Sequence, residues 1–227
     1  RAAVNGMSLY DSLLDSYEPG MTCAQLDPLF AELKAFLPGL LDATIERQQQ
    51  QPAQLPEGPF TIEEQRALGL AMMRTLGFDF EHGRLDVSHH PFCGGVPSDV
   101  RITTRYNTEG FTQALMGVIH ETGHALYEQG LPAEWQSQPV GQALSTAVHE
   151  SQSLLMEMQA CRSPEFLHYL TPHLQGSFAA AQPRAAAWQE DNLYRLFTHV
   201  KRGYIRVDAD EVSYPLHVIL RYEIERQ

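Results

Sequence analysis

The stretch GVIHETGHALYEQG, residues 117–130, places His120 and His124 four positions apart with Glu121 between them. On an α-helix that spacing leaves the two imidazoles only ~40° apart around the axis and one turn apart along it. Two ring nitrogens can then reach one ion at the ~2.0–2.1 Å of a zinc–nitrogen bond. Glu121 projects ~100° away, which suits it poorly as a ligand but lets it reach a water beside the ion. Phe111, Leu115, Val118, Ile119 and Leu126 form an apolar stripe on roughly the opposite side. The histidines are therefore expected to face a cleft or a second layer rather than the main core. Random placement of this chain's histidines and glutamates yields roughly 0.03 matches to H-E-x-x-H. The competing reading is a hydrogen-bonded histidine pair with a surface glutamate.

A metal site needs a third ligand, and GQALSTAVHESQSLLMEMQ (141–159) supplies Glu150 on another helical run. Ala143, Thr146, Ala147 and Ser153 share its face, and small side chains there let one helix approach another closely. Two histidines and a glutamate leave a fourth position open, the arrangement of a catalytic rather than a structural zinc. Glu157 lies on nearly the same face as Glu150 and is the rival ligand. His149 is ~100° from Glu150 and reads as a supporting or packing residue. In YIRVDADEVSYPLHVILRYEIE (204–225), Asp210, Tyr214, His217 and Arg221 are spaced to share one helical face, with Val212, Leu216, Ile219 and Leu220 on the other. Such a face is either solvated or suited to polarising a carbonyl and holding a carboxylate.

The rest of the chain bounds these readings. With 227 residues and a net charge of -12, the chain is long enough for a sizeable core, and nucleic acid is disfavoured as its main partner. No apolar run approaches the ~20 residues of a membrane helix, and the first residues show no secretory signal. Cys23, Cys93 and Cys161 are few and far apart, which fits reduced thiols in a cytoplasmic protein. Thr22 with Gln25 and Thr61 with Glu64 have capping-box spacing ahead of amphipathic runs, the first expected to break near Pro38 and Gly39. Residues 48–59 read as a proline-bearing connector. Val100, Ile102, Thr104 and Tyr106 alternate as a strand does, with a partner expected around 84–88, and Pro91, Gly94, Gly95 and Pro97 exclude helix there. Helical period resumes at Glu109 and continues to the end. The expected fold is mainly α and multi-helix with one small β-sheet. The expected domain is a single catalytic one over 1–227, a fragment truncated at both ends.

Five ordered motifs, HPF (90–92), DVRIT (99–103), HETGH (120–124), HESQ (149–152) and IRVDADEVSYPLHVILRYEIE (205–225), resemble those of the Taq-type thermostable metallocarboxypeptidases. These are gluzincin peptidases, helical and cytoplasmic, and the likeness runs from about Tyr10 to the end. The family that the motifs resemble implies a zincin-like arrangement with the small sheet beside the helix of His120 and His124. The resemblance implies that His120, His124 and Glu150 bind Zn2+, with Co2+ as an alternative, and that Glu121 is the general base. It implies that Arg206 receives the terminal carboxylate of a peptide substrate, with Arg101 and Arg221 as other candidates, and that Tyr214 and His217 stabilise the oxyanion. Asp99 and Arg101 are similar to an active-site sheet edge where a peptide could bind, and His90 to a residue that shapes the site or the fold. A homodimer is also implied. One departure stands out: Leu154 occupies the position where many related zinc peptidases place a histidine-orienting aspartate, so that support must come from elsewhere. The expected activity is metal-dependent removal of C-terminal residues from peptides. A metallo-endopeptidase or oligopeptidase with the same site and a non-catalytic fragment are the alternatives.

Overall fold

The computed structural model describes residues 2–179 and 185–227, so residues 180–184 of the expected helical stretch lie outside the described residues. Along the chain run α1 (Ala2–Asn5), α2 (Leu9–Leu14), α3 (Cys23–Gln49), α4 (Ile62–Leu76), β1 (Gly83–Val87), β2 (Phe92–Val96) and β3 (Asp99–Thr104). There follow α5 (Thr112–Gln129), α6 (Thr146–Leu154), α7 (Pro164–Phe178), α8 (Glu190–Phe197) and α9 (Tyr214–Glu225). The architecture is mainly helical with one small sheet, as expected. Two compact units emerge, a central one (Ala53–Ala143 with Val148–Phe197) and a terminal one (Arg1–Pro52, Leu144–Ala147 and Thr198–Gln227).

In the central unit, Thr61 starts α4 by accepting from the Glu64 N–H at 3.2 Å and donating to its carboxylate at 2.7 Å. Gly77, at φ 97°, ends it in the left-handed conformation that glycine adopts without strain. α5 is buried on two sides. Phe111, Leu115, Met116 and Ile119 join α4, α7 and Trp188 in one apolar cluster, and Val118 and Ala125 join Met73 and the sheet in another. Each fully buried side chain of Leu or Ile size contributes ~1.5–3 kcal/mol, so α5 has little freedom to shift. His120 and His124 lie on the strip between those faces.

The sheet has the order β1-β3-β2, with β1 parallel and β2 antiparallel to β3. Val100, Ile102 and Thr104 are buried at period two, and β1 falls where a partner was expected. The strand β2 was not expected. It needs Gly95, at φ 112°, where a Cβ would stand 2.1 Å from the Asp99 carbonyl oxygen. Because β3 is central, Asp99 and Arg101 do not form a sheet edge. Both flanks of β3 are already hydrogen-bonded, and β1 and β2 hold the edges.

In the terminal unit, Gln25 closes the start of α3, its Oε1 accepting from the Thr22 N–H and hydroxyl, each at 2.9 Å. The expected break at Pro38 is absent: α3 runs through Pro28 and Pro38. Pro38 removes only the bond to the Lys34 carbonyl, which lies on an exposed stretch where water can replace it. α3 packs on α9, where buried Tyr222 donates to Asp27 at 2.8 Å and meets Phe30 and Tyr10 edge-on. The expected helix over 204–225 starts only at Tyr214, with Pro215 in its first turn, where a missing N–H does no harm. Asp210 therefore does not share a helical face with Tyr214. It is buried ahead of the helix and accepts the N–H groups of Lys201, Val212 and Ser213 at 3.0, 3.1 and 2.9 Å.

Candidate metal centre

His120 and His124 project from α5 with ring centroids 5.0 Å apart. α6 brings Glu150 to them: His124 Nε2 lies 3.2 Å from one carboxylate oxygen and His120 Nε2 4.0 Å from the other. One donor atom from each residue falls within 4.8 Å of the others, the only such group of three or more His, Cys, Asp or Glu among the described residues.

The approach of α6 depends on Gly123. A Cβ at that position would stand 2.6 Å from both the Gln152 carbonyl oxygen and Ser153 Cα, so backbone nearly touches backbone. Ser153 is fully buried at the crossing, and its hydroxyl donates to the Glu150 carbonyl at 2.6 Å. Of the other small residues expected to clear the way, Ala143 precedes the helix and Thr146 only begins it.

Each histidine has a second partner behind it. His120 Nδ1 lies 2.9 Å from Glu157 Oε2, and Arg162 donates to the other Glu157 oxygen at 2.8 Å and to the Phe197 carbonyl at 3.0 Å. Glu157 thus backs His120 on the nitrogen away from Glu150, instead of competing with Glu150. The cause is a π-helical turn at Leu155–Gln159, whose wider winding breaks the regular phase that put the two glutamates on one face. It also fills the role left open by Leu154. His124 Nδ1 stands 2.6 Å from His149 Nδ1, and His149 Nε2 2.7 Å from Glu128 Oε1. Glu128, one turn after His124 on α5, was not anticipated, although its spacing was readable.

Burial opposes protonation of His120, but the hydrogen bond and charge of Glu157, with Glu150 and Glu121, outweigh it and raise its pKa. Glu121 is 7% exposed. Burial raises its carboxyl pKa against the pull of His120 and His124, and Glu150 and Glu157 add to the rise. The Cys93 thiol is pushed up to about 12 by burial and by the charges of Glu121 and Glu128, so it stays protonated.

These residues fit a metal. Glu157 accepts only, so it holds a proton on His120 Nδ1 and leaves Nε2, on the side of Glu150, as the atom a cation would take. Two imidazoles and a carboxylate form a mixed nitrogen–oxygen set that suits a borderline divalent cation.

The other anticipated residues make contacts of their own. Arg101, on the exposed face of β3, is paired with Asp99 at 2.7 Å. The His90 ring is exposed, and its backbone carbonyl accepts from Thr103 at 3.0 Å. Arg206, Tyr214, His217 and Arg221 belong to the terminal unit. Arg206 Nη1 donates to the Tyr214 hydroxyl at 3.1 Å, whereas Arg221 pairs with Glu225 at 2.9 Å one turn along α9. No helix among the described residues is long and apolar enough to cross a membrane.

A family model described as carboxypeptidase Taq (M32) metallopeptidase matches residues 2–227. Thermostable carboxypeptidase 1 of Thermus thermophilus is 43% identical over 218 residues, covering 96% of this chain and 42% of that protein. Carboxypeptidase 1 of Bacillus subtilis is 40% identical over 219 residues, covering 96% of this chain and 43% of its own length. Among solved structures, Trypanosoma cruzi metallocarboxypeptidase 1 superposes with a TM-score of 0.93 at 48% identity, over 100% of this chain and 45% of that one. The chain thus spans less than half the length of the relatives it matches.

Proposed function

The chain belongs to the carboxypeptidase Taq (M32) metallopeptidase family, and from that premise we propose that it removes residues one at a time from peptide C-termini, with 1–227 acting as a single catalytic domain. His120, His124 and Glu150 hold the cation, which is zinc in this gluzincin reading, with cobalt able to replace it. A cation held there supplies Lewis-acid polarisation of the scissile carbonyl and lowers the pKa of water from ~15.7 towards 7. Glu121 takes the proton of the attacking water on a carboxylate oxygen and hands it to the leaving amine nitrogen. Its buried, upward-shifted carboxyl supports that role, because a base works best with a pKa nearer the operating pH.

Arg206 receives the terminal carboxylate of the peptide in a charge-assisted, bidentate contact, and Tyr214 and His217 donate to the developing oxyanion. The Arg206–Tyr214 hydrogen bond supports the pairing of these roles. Arg101 and Arg221 are weaker candidates, each already engaged by a carboxylate on its own element. The same reading makes the protein a cytoplasmic homodimer that acts on peptides and not on nucleic acid or membranes.

The observation that carries this reading is the convergence of both Nε2 atoms on Glu150 within 4.8 Å. The test compares hydrolysis of a free-acid peptide with that of its C-terminally amidated form by the metal-loaded protein. Cleavage of the free acid alone is expected. Equal cleavage of both forms points to an endopeptidase, and cleavage of neither by a metal-loaded chain points to a non-catalytic role.

A further inference from the structure

The Nδ1 atoms of His124 and His149 stand 2.6 Å apart, and His149 Nε2 lies 2.7 Å from Glu128 Oε1. Two neutral imidazole nitrogens at that distance share a single proton, and the chain of contacts decides which ring owns it. A carboxylate only accepts, so His149 carries its proton on Nε2 and donates it to Glu128. Its Nδ1 is then a lone pair, and the shared proton belongs to Nδ1 of His124. With a cation between the two residues, the lone pair it meets on His124 is then that of Nε2, the atom 3.2 Å from Glu150. The reverse assignment would set the His149 Nε2 lone pair against the Glu128 carboxylate, with no proton between them.

We infer that His149 and Glu128 are a positioning pair, fixing the tautomer and ring angle of His124 so that Nε2 is the atom offered to the cation. This rests on the proposed metal site and adds two residues that act through a ligand. The His149 ring is itself held, edge-on to Tyr127 with centroids 4.9 Å apart and tilted against His124 at 4.7 Å. The two histidines of the site are therefore backed differently. His120 leans on a carboxylate directly, and His124 reaches one only through a second imidazole.

A residue that merely filled space would respond differently to substitution from one that accepts a proton, and that contrast is the test. His149→Phe keeps an aromatic ring and loses the acceptor. His149→Asn loses the ring but keeps an oxygen near the position of Nδ1. Zn2+ affinity of each variant and of the wild type is measured by competition with a chromophoric chelator. The protonated ring nitrogens of the Zn2+-loaded wild type are read by 15N NMR.

His149→Phe is expected to weaken Zn2+ binding by ~10–100-fold, the usual effect of removing the group behind a ligating histidine. His149→Asn should hold it within ~5-fold on the same reasoning. NMR should find His124 protonated on Nδ1 and His149 on Nε2. Binding by His149→Phe as tight as the wild type, or weaker binding by Asn than by Phe, overturns the inference. So does a proton on His124 Nε2, a reading taken on the unmutated chain and independent of how the variants fold. A wild type that binds no Zn2+ overturns the metal assignment and the inference with it.

Discussion

The central unit is held by apolar burial, and the terminal unit leans on polar links. α5 sits between two apolar clusters, and its crossing with α6 is a backbone contact made possible by Gly123. In the terminal unit the shared apolar surface is smaller, and Leu29 and Phe36 of α3 are exposed. Side chains tie the backbone there instead. Gln48 exchanges two hydrogen bonds with Val200 at 2.8 and 2.7 Å, and Asp210 gathers three N–H groups ahead of α9. The contrast follows the work proposed for each unit. Three ligand atoms need fixed positions, which close packing provides. The groups proposed to meet a peptide sit on a segment whose shape is set by hydrogen bonds.

The largest expected effect probes the chemistry of the central unit. Glu121→Gln should lower peptide hydrolysis by ~10²–10⁴-fold while metal content stays stoichiometric, because the residue handles a proton and not the cation. Loss of metal in that variant would make Glu121 a ligand and break the account of the site. Next comes the terminal unit. Arg206→Ala should cost about 2–4 kcal/mol in kcat/KM on free-acid peptides, and Arg206→Lys should recover only part, since an ammonium cannot form the planar fork. An Arg206→Ala protein that keeps the wild-type preference for free acids over amides would reassign the carboxylate to another cation.

Packing itself is tested by Gly123→Ala. The added methyl meets backbone, which cannot rotate aside, so the change should cost about 1–3 kcal/mol in denaturant unfolding and weaken metal binding as Glu150 is displaced. A neutral result would show that α6 is held less tightly than its contacts indicate.

The smallest effect is one of pH. The hydrogen bond from Tyr222, then that from Arg226, holds the Asp27 carboxyl below its ordinary pKa. A lowered folded pKa contributes stability that is complete above the ordinary carboxylate range and fades as pH falls through the folded value. Amide protection in α9, taken relative to the intrinsic exchange rate at each pH, should therefore fall on acidification before that in α5, and Tyr222→Phe should flatten this acid dependence. Simultaneous loosening of both helices would erase the distinction between the units.

Where regular helix geometry carries the function, the chain could be read from its residues. The four-residue spacing of His120 and His124 and the period around Glu150 survive into the structure because α5 and α6 are regular there. Glu157 was misplaced because a π-turn breaks the 100° phase, and nothing in LMEMQ announces one. The start of α9 was readable in Pro215, whose ring belongs in a first turn, yet an apparent face running through Asp210 hid it. β2 was illegible for a different reason. Its Gly94-Gly95 pair reads as a turn until β3 is there to pair with it. Gly123 carries no signal inside H-E-x-x-H, because what it permits is a contact with another helix.

The central claim is that His120, His124 and Glu150 form one cation site. Elemental analysis of the purified protein, with anomalous scattering to locate the ion in a crystal, tests it directly. The account predicts one divalent ion per chain, bound by Nε2 of both histidines and the Glu150 carboxylate, with Glu157 on His120 Nδ1. An ion bound through Glu157 in place of Glu150, or an ion bound at some other place in the chain, would contradict it.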